Sequence, residues 1–168
     1  MTQQISIEAP FGVVDMGSNG IRFGIVSALA RHLPVAYEER APIALLDAQG
    51  DDRIIPSDTI NEVITSFLRF KKLCQDANVE MKNVRVIATE ATRIAANSKE
   101  FLDKIYQATG WTVSLLSKQQ EALISASGIV GKVINYSLFF YTLLVTNFNV
   151  RFFQSCKWIN YGSWRWVS

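Results

Sequence analysis

The apolar positions change period several times along the chain, and each change marks an element. Phe11–Gly17 is a short apolar run that ends in a polar, glycine-bearing stretch. Ile21–Leu29 is a second run rich in β-formers, so the spacing predicts two strands joined by a tight turn. Leu33–Leu46 predicts a third strand, interrupted by Glu38, Glu39 and Arg40. Gln49–Arg53 reads as a polar turn, and Pro56-Ser57 opens a helix. Ile60, Val63, Ile64, Phe67, Leu68 and Leu73 then recur at helical spacing and are expected to face inward. Val84–Ala88 is a compact strand. Ser98 is expected to cap a helix that buries Phe101, Leu102 and Ile105. Trp111–Leu116 predicts another strand and Gln119–Val130 another helix. The order β-β-β-α-β-α-β-α implies an α/β fold, with a mixed sheet carrying helices on its faces.

Composition splits this picture in two. The 168 residues carry a net charge of +2, too little to argue for nucleic acid or an anionic membrane. All 15 acidic residues lie in 1–132, where 14 Lys and Arg leave a net −1. The last 36 residues hold no carboxylate side chain, three cations (Arg151, Lys157, Arg165) and 11 of the 19 aromatics. The expected organisation is a domain at 1–132 and an unrelated tail at 133–168.

Two cysteines, Cys74 and Cys156, provide neither a disulfide framework nor a metal spacing, and His32 is the single histidine. The first ten residues lack the order of a signal peptide, so the expected setting is reducing and cytoplasmic. Chemistry must then come from carboxylates, hydroxyls, backbone amides, Lys, Arg or a hard cation.

Asp15-Met16-Gly17-Ser18-Asn19-Gly20 suits such chemistry. Its glycines allow a tight turn and close approach to an anion, Ser18 and Asn19 add donors, and Arg22 adds a fixed positive charge. Asp15, at the strand end, could hold Mg²⁺ beside a phosphate. The same residues equally describe a plain hairpin turn. Likewise Arg93 could pair with Glu90 on a helix surface, and Glu121 could simply favour a helix dipole.

The run Phe-Gly-Val-Val-Asp-Met-Gly-Ser-Asn-Gly-Ile-Arg-Phe, residues 11–23, resembles the first phosphate loop of the Ppx/GppA phosphatases. These are the exopolyphosphatases and guanosine pentaphosphate phosphohydrolases of the ribonuclease H-like actin/sugar kinase/Hsp70 superfamily. Gly20-Ile21-Arg22-Phe23 looks more like the fungal branch, which includes a retrograde-signalling regulator, than the bacterial one, which usually has Ser at Gly20. Ala88-Thr89-Glu90-Ala91-Thr92-Arg93 resembles the family's Ala-Thr…Arg loop, and Gln120-Glu121-Ala122 its Glu-Glu-Ala. The resemblance covers roughly residues 10–131. It implies that Glu121 is the base activating water, and that Gly17, Ser18, Asn19, Arg22, Thr89 and Arg93 bind phosphate. It also implies that Asp15 binds Mg²⁺, and that the partner is polyphosphate or a guanosine nucleotide. It leaves room for dimerisation of full-length relatives. The chain departs from the family at Lys118, where a Gly is usual, and at Gln120, where the first Glu is usual. These departures bear on substrate geometry and metal binding, and favour the alternative of a non-enzymatic phosphate sensor in retrograde signalling.

The family's second domain opens with Asp-x-Gly-Gly-Gly-Ser shortly after the Glu121 helix, and no such loop follows here. Shifting the reading frame by one base turns every Trp codon into Gly. Trp158–Val167 then permits Gly-Leu-Ile-Met-Asp-Leu-Gly-Gly-Gly-Ser, the missing loop. Half of Val133–Gln154 is Phe, Tyr, Asn or Ile, residues of A/T-rich codons. The tail is therefore read as a retained intron followed by a frameshifted exon, and the chain, truncated before the second domain, is expected to be inactive alone. The competing reading is a membrane anchor at 134–150. At about 17 residues it is shorter than the roughly 20 a span requires.

Overall fold

A computed structural model describes residues 10–27 and 35–124, together with the backbone of two later strands at 156–159 and 163–166. His32, the end of the Glu121 helix and the 134–150 segment lie outside the described residues. The chain divides into two compact units, Met1–Leu123 and Ile124–Ser168.

In the first unit, β1 (Phe11–Gly17), β2 (Gly20–Val26) and β3 (Val35–Ala41) form an antiparallel meander. β4 (Val84–Ala88) and β5 (Val113–Leu115) add parallel strands beside β1, giving the sheet order β3-β2-β1-β4-β5. This is the α/β architecture expected. β1 and β4 match their sequence reading closely. β3 stops at Ala41, because Pro42 has no N–H to continue a ladder. The apolar residues after it instead form a short helix, α1 (Leu45–Ala48), which buries Leu45.

α2 (Ser57–Asp76) starts where Pro56-Ser57 predicted, and buries Ile60, Val63, Phe67, Phe70 and Cys74. Ile64 and Leu73 pack at the edge of that core, whereas Leu68 is exposed, contrary to expectation. Phe70 stacks on Phe23 of β2 at 4.6 Å between ring centres, and Phe67 meets Trp111 at 6.0 Å. Burying a ring of this size removes a large apolar surface from water, and stacking adds about 1 kcal/mol. Cys74 sits in the same core, where burial pushes its thiol up to about 11.

Two short elements precede β5. α3 (Glu90–Ile94) follows β4, and α4 (Ser98–Thr109) buries Phe101 and Ile105. Ser98 is not the cap of α4; Asn97 occupies that position. The Asn97 amide is bonded in both directions to the backbone of Ile55, each at 2.9 Å, which ties the entrance of α2 to that of α4. Gly110 ends α4 with φ of 77°, a left-handed conformation that costs glycine little. A helix beginning at residue 118, here α5, is described as far as residue 124.

Beyond Ile124, the described residues of the second unit are an antiparallel hairpin, β6 (Cys156–Ile159) with β7 (Ser163–Trp166), in which Trp158 is opposite Trp164. Among the described residues no helix is long and apolar enough to cross a membrane.

Candidate functional site

Three parallel strands, β1, β4 and β5, end at the same edge of the sheet; Asp15 and Gly17 close β1, Ser18, Asn19, Thr89, Arg93 and Glu121 follow the strand ends, and Arg22 lies on β2. Open α/β sheets bind ligands at this carboxyl edge, where loops leave the strands and backbone donors are free of the ladder. Thr89 N–H donates to Met16 O at 3.3 Å, carrying the β1–β4 pairing one step further. The Thr89 hydroxyl reaches the same carbonyl at 3.4 Å. Leu116 N–H donates to Ala88 O at 2.9 Å and extends β4–β5 in the same way. The end of β1 and the starts of the segments that lead into α3 and α5 are thereby drawn together.

Gly17 pairs with Gly20 across a two-residue turn of Ser18 and Asn19. A side chain at either glycine would be tightly placed. A Cβ on Gly17 would lie 3.2 Å from Gly20 O, and one on Gly20 would lie 3.1 Å from Arg40 Nε. Leu46 N–H donates to Ser18 O at 3.1 Å, so α1 backs the turn. The Gln49 amide, buried, donates to Leu45 O at 2.9 Å and to Ala91 O at 2.8 Å, so it ties α1 to α3. α1 thus connects the Gly17–Gly20 turn to the helix that carries Arg93.

Asp15 is opposite Arg22 on β2, and Arg22 is opposite Arg40 on β3. Residues directly opposite share a sheet face. Burial raises the Asp15 carboxyl above its ordinary 3.8, the Arg22 charge lowers it, and the Glu121 charge raises it again. The Glu121 charge thus reaches Asp15, more than 100 residues earlier in the sequence.

Arg93, on α3, donates through Nη1 to Leu116 O at the end of β5. Its Nη2 stands 3.7 Å from Glu121 Oε2, near enough to pair charges and too far for a hydrogen bond. That nitrogen is buried and makes no hydrogen bond. Glu90 is not its partner: Glu90 Oε1 lies 3.7 Å from Lys118 Nζ at the start of α5. The surface i,i+3 pair that the sequence also allowed is thus replaced by two ion pairs between α3 and α5.

Glu121 is held by the start of α5. Ser117 Oγ accepts from Gln120 N–H at 3.2 Å, and Gln120 Oε1 accepts from Ser117 N–H at 2.9 Å. This reciprocal pair is a capping box, satisfying two donors that a helix start leaves free. Glu121 N–H then makes the first helical bond, to Ser117 O at 2.9 Å. Gln120 is therefore occupied locally. The Ser-x-x-Gln signature was present in the sequence and marks this start one residue before the expected one. Arg40 and Gln49 had no comparable signal, because strand register and a buried amide's partners are not periodic features.

Asp15 is the carboxylate on β1, and the Glu121 charge acts on it only as a minor influence beside burial and Arg22. Among the described residues there is no group of three or more His, Cys, Asp or Glu able to enclose a metal. Mg²⁺ commonly takes one or two carboxylates and leaves its other positions to water and phosphate oxygens, so a single carboxylate such as Asp15 is a chemically suitable donor for it. A carboxyl raised mainly by burial, and to a lesser degree by a second carboxylate, is one whose charged form a cation would favour.

Residues 25–139 match the model of the Ppx/GppA phosphatase family. The chain is 42% identical over 127 residues to Retrograde regulation protein 2 of Saccharomyces cerevisiae, an alignment covering 71% of this chain and 22% of that protein. It is 26% identical over 115 residues to guanosine-5'-triphosphate,3'-diphosphate pyrophosphatase of Pseudoalteromonas atlantica, covering 68% of this chain and 22% of that one. Among solved structures, an Aquifex aeolicus Ppx/GppA family member superposes with a TM-score of 0.65 at 26% identity, over 72% of this chain and 39% of that one. A Cytophaga hutchinsonii exopolyphosphatase shares the fold, with a TM-score of 0.65 at 20% identity over 71% of this chain and 38% of its own. The chain thus spans about a fifth of the length of these two curated relatives.

Proposed function

Because the chain belongs to the Ppx/GppA phosphatase family, we propose that its first unit is the phosphate-holding part of a hydrolase that removes terminal phosphoryl groups from polyphosphate or guanosine pentaphosphate. The observation that carries this reading is Arg93 Nη2, a buried guanidinium nitrogen with no hydrogen bond, standing 3.7 Å from Glu121. A buried N–H donor left without a hydrogen bond costs free energy unless an acceptor completes it. A phosphate oxygen is such an acceptor, and Arg presents two parallel N–H groups to it.

In this reading Gly17, Ser18 and Asn19 hold phosphate oxygens through backbone and side-chain donors, with Arg22 and Thr89 beside them. Glu121 accepts a proton from water as the water oxygen attacks the terminal phosphorus. The bridging P–O bond breaks, and its electrons leave on the shortened chain's phosphate. Arg93 offsets charge on the transferring group. Mg²⁺ held by Asp15 would supply further neutralisation of the phosphate oxygens. The decisive experiment is phosphate release from polyphosphate and from guanosine pentaphosphate by the protein at full family length, with and without Glu121→Gln. Release that Glu121→Gln leaves intact would sink the reading.

A second reading, a phosphate- or nucleotide-sensing regulator of retrograde signalling, is favoured by the resemblance to Retrograde regulation protein 2. The engagement of Gln120 in a capping box, where a second carboxylate is usual in the family, also favours it. Tight binding of either anion without turnover selects it.

A further inference from the structure

The turn between β1 and β2 is held from behind through its carbonyl oxygens. Met16 O accepts from Thr89, Ser18 O accepts from Leu46 N–H at 3.1 Å, and Asn19 O accepts from Arg40 Nη2 at 3.2 Å. The first two involve residues that also build the strand ends or α1. The third is a side chain reaching back from β3, and it lies across the turn. A Cβ at Gly20 would meet Arg40 Nε at 3.1 Å and Nη2 at 3.5 Å. Any larger residue at Gly20 would crowd the guanidinium on that path. Carbonyl lone pairs that faced a phosphate would repel it, so a turn that binds an anion through N–H groups needs its carbonyls drawn away.

We propose that Arg40 is a positioning residue of the phosphate-binding turn, which fixes the Asn19 carbonyl so that the amides and side chains of Ser18 and Asn19 face the anion. This rests on the phosphate-site reading above. Arg40 acts through Asn19, and its contribution depends on the shape of the guanidinium rather than on charge alone. A lysine would keep the charge but would lose the planar fork that places Nη2 on Asn19 while Nε passes Gly20.

The test uses the whole 168-residue chain, isotopically labelled, with amide exchange at Ser18, Asn19 and Gly20 followed by NMR and tripolyphosphate as the titrant. Arg40→Met is expected to speed exchange in the turn and weaken tripolyphosphate binding roughly fivefold, the scale of one hydrogen bond. Arg40→Lys is expected to behave like Arg40→Met. Arg85→Met, which removes a guanidinium bonded to Lys82 O and Val84 O, should leave both readouts unchanged. Wild-type affinity and turn exchange in Arg40→Lys would overturn the proposal, reducing Arg40 to a charge. Unaltered exchange in Arg40→Met would overturn it as well, whatever the affinity. If the unsubstituted chain does not bind tripolyphosphate, the phosphate-site reading falls and the assigned role falls with it; turn exchange still reports separately whether Arg40 holds Asn19.

Discussion

Arg93 Nη2 stands 3.7 Å from Glu121 Oε2, and this contact joins two helices, α3 and α5, through residues that the chain keeps 28 residues apart. The same guanidinium is anchored through Nη1 on Leu116 O, so it is fixed by the sheet edge while its other nitrogen faces the carboxylate. Arg93 and Glu121 are thus held as a charge pair at the sheet edge, and on the proposed function the two would flank one phosphate.

Glu121→Gln should therefore separate turnover from binding. The amide keeps the shape and cannot take a proton, so hydrolysis by the full-length protein should fall by roughly 10²–10⁴-fold. Anion affinity should be kept or rise, because Arg93 loses the carboxylate that competes for it. Equal losses of rate and affinity, measured by phosphate release and by calorimetric titration, would contradict this division.

Arg93→Lys removes the bond to Leu116 O together with the forked donor. Stability should drop by about 1 kcal/mol, and tripolyphosphate affinity by about tenfold, the scale of a charge-assisted hydrogen bond. Urea unfolding and titration measure the two effects independently. A stability loss without an affinity loss would make Arg93 a purely structural tie.

Asp15 predicts a pH effect with a definite sign. Burial, the largest cause, raises its carboxyl above 3.8, Arg22 lowers it and Glu121 raises it. A carboxyl raised on folding holds its proton more tightly in the folded chain. The stability it contributes is present below the unfolded value and lost as pH rises through the folded one. Asp15→Asn should accordingly be more stable than the parent at neutral pH, with the gap closing as the solution is acidified toward pH about 4. It should also weaken any Mg²⁺-dependent phosphate binding. A variant less stable than the parent at pH 7 in urea titrations would show that Asp15 is needed by the fold.

Phe70→Ala should cost about 3–5 kcal/mol, because the ring is fully buried and stacks on Phe23 at 4.6 Å. A midpoint shift below about 1 kcal/mol in urea would mean that the core refills the space.

Phe70 also shows what the sequence makes legible. β1, β4 and the start of α2 follow from short-range signals: apolar runs bounded by Gly, and Pro56 before Ser57. Phe70 and Cys74 complete the buried face of α2, yet Leu68, which fits the apolar spacing as well, is exposed. Periodicity ranks faces but does not say how wide the covering sheet is. α1 and α3 span four and five residues, too few turns to leave a period at all. The site residues were read from resemblance, since Asp15, Arg93 and Glu121 have ordinary surface roles when taken singly. What no local pattern carried was the strand register that sets Arg40 beside Arg22, and the side-chain bonds that tie Gln49 to α3.

Gln120 offers the most discriminating substitution. Its side chain closes a capping box with Ser117 at 2.9 Å, and Glu serves in that position as well as Gln. Gln120→Glu should therefore leave stability within about 0.5 kcal/mol, whereas Ser117→Ala should lose about 1 kcal/mol. The two readings of function then diverge. If the chain is the binding half of a hydrolase, a second carboxylate beside Glu121 should change the divalent-cation dependence of phosphate release in the full-length protein, with no change in folding. If it is a sensor, Gln120→Glu should alter neither turnover, which is absent, nor the fold, and should lower anion affinity through added negative charge. Phosphate release measured across Mg²⁺ concentrations, beside urea unfolding of the same variant, distinguishes them. A large stability loss in Gln120→Glu would refute the capping assignment itself.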